Sequence, residues 1–145
     1  MHRILATNDY LYKIKKKDNW ICSFCKREKE TITHLFYECE AIKSLWIKLS
    51  QYIFDKTSIR ILFTKEEIIL GKQDNKQIAE NNLILFTKSL IYKQKFKNSN
   101  IQLNNLIREI SYRYKVEKLR QKLNGKSQVF LKVWGKFAQC FDLTF

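Results

Sequence analysis

Three cysteines and one histidine crowd into residues 22–39 as Cys22-x2-Cys25-x8-His34-x4-Cys39. Two chemistries begin with a Cys-x-x-Cys. A redox dithiol needs its first cysteine at a helix N-terminus in a βαβ setting, where the thiol pKa falls. Such folds also face the dithiol with a cis-proline, and this chain contains no proline. The other chemistry is metal binding. Zn2+ prefers four soft or borderline ligands in a tetrahedron, and three thiolates with one imidazole supply a closed set. A hydrolytic zinc keeps a water in the fourth position, so a closed set holds structure rather than performing hydrolysis. A nucleobase deaminase is excluded by order and residue type. It needs His-x-Glu ahead of Pro-Cys-x-x-Cys, whereas here the cysteine pair comes first and Leu35-Phe36 follows His34. The plain alternative is three buried cysteines and a helix-capping histidine. Cys140 stands apart, and a small buried hydrophobe is its expected role.

The flanking residues must position these ligands. Residues 20–33 mix aromatic and β-branched types around a polar tip, Lys26 to Glu30, which reads as a small β-hairpin. A helix is expected over residues 3–16, with Asn8-Asp9 interrupting its pattern, and another over residues 34–54 with Leu35, Leu45, Trp46, Leu49 and Ile53 inward. His34 and Cys39 are five residues apart, about one and a half α-helical turns. They can face one point only if the helix entry is irregular or His34 precedes the helix.

Further along, Thr64 and Glu67 form a capping box and Gly71 a stop, giving a short helix. A long helix follows over residues 75–97, with Ile78, Leu83, Ile84, Leu85, Phe86, Leu90 and Ile91 on a wide apolar face, broken by residues 97–100. In the next helix, residues 101–123, Leu103, Ile107, Ile110 and Tyr114 share one face. Tyr112, Val116, Leu119 and Leu123 share nearly the opposite one. Packing on two sides is expected, with basic edges at Arg108, Lys115, Lys118 and Lys122 on one flank and Arg113 and Arg120 on the other. Asn124-Gly125 turns the chain into a last helix or extended segment carrying Phe130, Val133, Trp134 and Phe137.

The formal charge is +14, from 28 Lys and Arg against 14 Asp and Glu. A polyanion is the expected partner, nucleic acid before an anionic membrane or an acidic protein; a Lys-rich composition without a partner is the plain alternative. The charge is uneven. Residues 88–136 hold 13 basic side chains and 2 acidic ones, Glu109 and Glu117. Lys and Arg would neutralise phosphates without reading sequence. Trp20, Phe24 and Tyr37 near the metal would stack on unpaired bases, about 1–3 kcal/mol each where exposed. Core packing is the competing role, favoured for Phe36 and Trp46 and open for Trp20 and Phe24. The candidate nucleic-acid contacts are thus Trp20, Phe24, Lys26, Arg27, Arg108, Arg113, Lys115, Lys118, Arg120 and Lys122. The N-terminus lacks the apolar core of a signal peptide. The longest purely aliphatic or aromatic run is residues 83–86, too short for a membrane span. A reducing nuclear or cytoplasmic setting, without secretion, suits clustered cysteines that hold metal.

The stretch from His2 to Leu49 resembles the zinc-binding segment that follows the reverse transcriptase domain in non-LTR (LINE-type) retrotransposons. The likeness rests on an Arg-Ile-Leu helix, Cys22-x2-Cys25, Glu30-Thr31, His34-Leu35-Phe36, Cys39 and Trp46. It covers about the first third of the chain; the later basic helices resemble the tails of the same polyproteins more loosely. The resemblance implies contact with template RNA or target DNA during target-primed reverse transcription, an upstream reverse transcriptase domain as partner, and a C-terminal piece of an element with a truncated start. It implies no polymerase activity here, since the family's paired aspartates have no counterpart: the five aspartates are scattered at 9, 18, 55, 74 and 142. The expected fold is mainly α. A zinc-bound β-hairpin–helix (CCHC) module fills residues 1–54, and a basic helical bundle fills 55–145, alternatively as one continuous compact unit. One structural Zn2+ is expected, with Cys22, Cys25, His34 and Cys39 as ligands. The competing function is a protein-interaction module, or an inert remnant that binds no nucleic acid.

Overall fold

The computed structural model describes residues 5–74, 77–97 and 100–142, and nearly all of the regular structure in them is helical. Seven α-helices follow in order: α1 (Asn8–Lys13), α2 (Glu40–Thr57), α3 (Lys65–Leu70), α4 (Ile78–Lys95), α5 (Leu103–Asn124), α6 (Ser127–Trp134) and α7 (Ala138–Phe141). A π-helical turn, His34–Glu38, leads into α2, and a 3-10 turn, Gly135–Phe137, joins α6 to α7. No described helix is long and apolar enough to cross a membrane.

The first helix is shorter than its apolar pattern suggested. Asn8-Asp9 is its beginning rather than a break, because Thr7 caps it by accepting from the Tyr10 amide, which satisfies a donor with no partner within the helix. Lys15, at φ 58°, then turns the chain away. Residues 3 and 4 of the expected helix lie outside the described residues.

The expected β-hairpin is not formed. Among the described residues there is no strand, and a single antiparallel bridge joins Ile21 to Lys29. The reason lies in what the amides bond to. Cys22 N–H reaches Glu28 O at 2.8 Å and Glu30 N–H reaches Trp20 O at 2.9 Å, closing the loop. Inside it, Ser23 N–H goes to the Glu30 carboxylate and Phe24 N–H to the Cys22 sulfur. Donors spent on a carboxylate and a sulfur cannot extend a ladder.

α2 buries Ile42, Leu45, Trp46, Leu49 and Ile53 along one side. The Trp46 indole N–H donates to Phe36 O at 2.8 Å, and its ring lies 5.0 Å from that of Phe63. Phe36 and Trp46 are thus core residues, as expected. α3 begins at the Thr64–Glu67 capping box and stops at Gly71, whose φ of 81° suits a residue without Cβ. α4 buries Leu83, Ile84, Leu90 and Ile91, but Ile78 and Leu85 of its expected apolar face are exposed. Residues 75 and 76 lie outside the described residues.

Only one side of α5 is packed. Leu106, Ile107, Ile110 and Tyr114 are buried, whereas Tyr112, Leu119 and Leu123 are 68%, 60% and 77% exposed. α6 and α7 return to the buried side alone: Tyr114 meets Phe130 and Trp134, and Trp134 stacks on Phe86 of α4. The expected second packing face therefore faces solvent. One continuous core runs from Cys22 in the metal loop to Phe141 in α7.

Several lysines point inward and act as ties. Lys88 Nζ donates to Ile68 O at the end of α3 and lies 5.2 Å from the Phe36 ring centroid; burial lowers its pKa. Glu80 of α4 is buried between Lys72, at 2.7 Å, and Lys136. Burial by itself would raise the Glu80 pKa, but the two ammonium groups outweigh it and hold the carboxyl below its ordinary range. A depressed folded pKa contributes stability above the unfolded value of about 4.3, lost as pH falls through the folded one. Glu80→Gln is therefore expected to destabilise at neutral pH and to differ less from the wild type as pH falls below about 4.3; urea denaturation of both chains across that range measures the convergence.

Candidate metal centre

The metal loop is held by a buried charge. Glu30 is fully buried. Its Oε1 lies 2.6 Å from Lys95 Nζ at the end of α4 and accepts the Asn8 amide at 2.9 Å. Its Oε2 accepts the Ser23 amide and hydroxyl at 2.7 and 2.8 Å. The Asn8 side chain donates to Ile21 O and accepts from Lys95 Nζ at 2.6 Å and Lys17 Nζ at 2.8 Å. The start of α1, the metal loop and the distant end of α4 thus share one polar cluster. Burial pushes the Glu30 pKa upward, but Lys95 and the Ser23 and Asn8 donors overcome this and hold it below the usual value.

On this frame the four ligand atoms converge. Those of Cys22, Cys25, His34 and Cys39 all lie within 4.8 Å of one another. Cys22 Sγ and Cys39 Sγ are 3.9 Å apart, and Cys25 Sγ is 3.4 Å from His34 Nε2. Ligands about 2.3 Å from a tetrahedral Zn2+ stand roughly 3.8 Å from each other, so these separations fit one zinc ion. Cys22, His34 and Cys39 are buried and Cys25 is partly exposed.

The irregular helix entry is what brings His34 and Cys39 together. On an α-helix five residues rotate by about 500°, leaving the pair roughly 140° apart. Here residues 34–38 form a π turn, closed by Cys39 N–H to His34 O at 2.9 Å. The wider turn returns residue 39 to the side of residue 34. Cys39 then adopts ψ 130° and becomes the N-cap of α2, where helix amides favour negative charge on sulfur.

The electrostatics suit a cation. Cys22 donates to Cys39; this hydrogen bond, with burial, raises the Cys22 pKa, while Cys39 is lowered as the acceptor. Two thiolates this close cannot both be charged in a buried site without a positive ion between them. His34 presents Nε2 to the centre, and its Nδ1 stands 3.4 Å from Glu28 Oε2. A carboxylate on the second ring nitrogen fixes tautomer and ring orientation in metal sites. Cys140 lies outside the cluster, fully buried, with its thiol pushed up to about 11 by burial.

The candidate nucleic-acid residues are dispersed. Trp20 is 39% exposed, and Phe24 is partly buried against the core, as is Tyr37. Lys26 and Arg27 lie at the exposed loop tip, where Arg27 stands 3.7 Å from Glu40. On α5, Arg108 and Lys122 are exposed and Lys115 is partly buried. Arg113 lies over the Phe86 ring, Lys118 pairs with Asp142, and Arg120 lines an apolar groove with Phe86 and Phe130. Sequence reasoning gave no role to Asn8 and Lys95, which meet across 87 residues, and saw Glu30 as part of a family likeness rather than as their partner; Glu28, a near neighbour of His34 in sequence, was read as part of a polar tip.

Lys95→Met leaves Glu30 buried without its counter-charge and is expected to cost about 3–5 kcal/mol. The double variant Glu30→Gln, Lys95→Met should lose clearly less than that. Urea unfolding of the zinc-loaded chains measures both, and equal losses would remove the pair from its assigned role.

Comparison with known proteins agrees with this geometry over the first third of the chain. No curated protein and no solved structure matches it. Residues 1–46, which contain all four ligands, match the family described as zinc-binding in reverse transcriptase.

Proposed function

We propose that the chain is a zinc-stabilised, non-catalytic accessory module of a retroelement reverse transcriptase, binding template RNA or target DNA beside the polymerase domain. The observation that carries this reading is the closed Cys3His cluster inside a segment that matches the reverse transcriptase zinc-binding family. One zinc would cross-link the loop to the start of α2, and such binding supplies roughly 10–16 kcal/mol of folding energy. Cys22, Cys25, His34 and Cys39 hold it, and Glu28 orients His34. Four protein ligands leave no position for a reacting water, which supports a structural rather than a catalytic role. A reducing nuclear or cytoplasmic setting keeps the thiols available.

Nucleic-acid contact is supported by charge and its placement. Some of the 28 basic side chains are used within the fold, since Lys88, Lys95 and Lys136 act as ties. What remains outside includes Arg108 and Lys122 on α5 and Lys26 and Arg27 at the loop tip. These contact phosphates, with Trp20 and Phe24 as stacking surfaces. A second reading, a protein-interaction module, is favoured by one observation: Tyr112, Val116, Leu119 and Leu123 form an exposed apolar stripe on α5.

Two measurements test the proposal. Metal analysis should find one zinc per chain, and a chelator should remove hydrogen-exchange protection from residues 20–45 while leaving most protection in α4 and α5. An apo chain that keeps full protection there excludes a structural zinc. Single-stranded RNA or DNA should bind with log affinity falling linearly against log salt. Arg108→Ala and Lys122→Ala should each reduce that slope by about 0.7 if each side chain meets one phosphate. Salt-independent binding, or none at low salt, favours the protein-interaction reading.

A further inference from the structure

Resting on the nucleic-acid reading, we propose that a cleft between the metal loop, α2 and the start of α5 receives one unpaired nucleotide. The cleft holds about 570 Å³, within the roughly 300–1,000 Å³ range of small-ligand sites. One wall is the Phe24 side chain, carried between the two cysteines of the loop. A second is a single side of α2, where Ala41, Ser44, Leu45 and Lys48 recur at helical spacing. The third is the chain entering α5, with Asn100 and Asn104 at the rim.

The lining chemistry selects the ligand class. Phe24 offers apolar surface to a flat ring, above a floor closed by the buried Leu45, and base–aromatic stacking tolerates any base. Asn100 and Asn104 each carry a donor and an acceptor, the combination that a base edge presents. Lys48 is exposed and has no ion-pair partner among the described residues, which leaves its ammonium for a phosphate. Among the described residues no carboxylate lines the cleft, so none of them selects a cationic ligand or repels an anionic one. The Phe24 backbone is tied to the metal loop through its N–H to Cys22 Sγ at 3.4 Å, so the stacking wall is positioned by the same loop that holds the ligands.

The test uses the zinc-loaded full chain and two probes of equal length and charge, an oligouridylate and an abasic phosphodiester strand. Fluorescence anisotropy should show the oligouridylate binding about 5- to 150-fold more tightly, the range of one stacked base. Amide resonances of Ser44 and Asn104 should shift with the oligouridylate and not with the abasic strand. Phe24→Leu should erase most of the difference while leaving the salt slope unchanged. Lys48→Ala should lower the slope by about 0.7 for both probes. Equal binding of the two probes by the wild-type chain overturns the cleft proposal, yet leaves backbone-directed binding standing. Binding of neither probe at low salt removes the underlying reading as well. Because the probe comparison needs no variant, misfolding of Phe24→Leu would not spoil it.

Discussion

The contact between Glu30 and Lys95 is the constraint on which the arrangement of this protein depends. A carboxylate taken wholly out of water is costly unless it is paired and its remaining lone pairs are occupied. Here an ammonium from the end of α4, two donors from Ser23 and the amide of Asn8 meet that demand together. Since each partner comes from a different segment, the carboxylate is satisfied in one arrangement of those segments. The metal loop, which has no strand ladder of its own, takes its position from this cluster and from the apolar core beneath Cys22 and Cys39.

The same economy of polar contacts explains how a strongly cationic chain packs. Lys72, Lys88, Lys95 and Lys136 reach carboxylates or helix-end carbonyls in the interior or at its margin. Their aliphatic stems cover apolar surface while their ammonium groups close a polar gap. The basic character of the molecule is therefore partly architectural, and the cations available to a polyanion are fewer than the composition suggests.

Local signals carried much of the site. The Cys-x2-Cys, His34 and Cys39 converge as their spacing implied, and the awkward five-residue offset of the last two is resolved by the wide turn it required. The Thr64–Glu67 capping box and Gly71 punctuate α3 as read. What the sequence did not reveal was long-range. Asn8 looked like a helix interruption because its role is to hold Ile21 and Lys95, far away in the chain. The aromatic and β-branched pattern of residues 20–33 suggested a hairpin, yet its amides serve a sulfur and a carboxylate. Tyr112, Leu119 and Leu123 had the spacing of a second buried face. Periodicity registers that a face is apolar and says nothing of whether another element covers it.

Cys39 occupies a double position, the last of the four convergent side chains and the residue whose extended backbone starts α2. An 18-residue helix is about 27 Å long at about 1.5 Å per residue, and Cys39 is the pivot at its start. A tilt of about 10° at that pivot would carry the Thr57 end by about 5 Å. It would also swing the side bearing Ser44 and Lys48 relative to Phe24. One of the convergent side chains and one wall of the neighbouring cleft are thereby carried on the same rigid element.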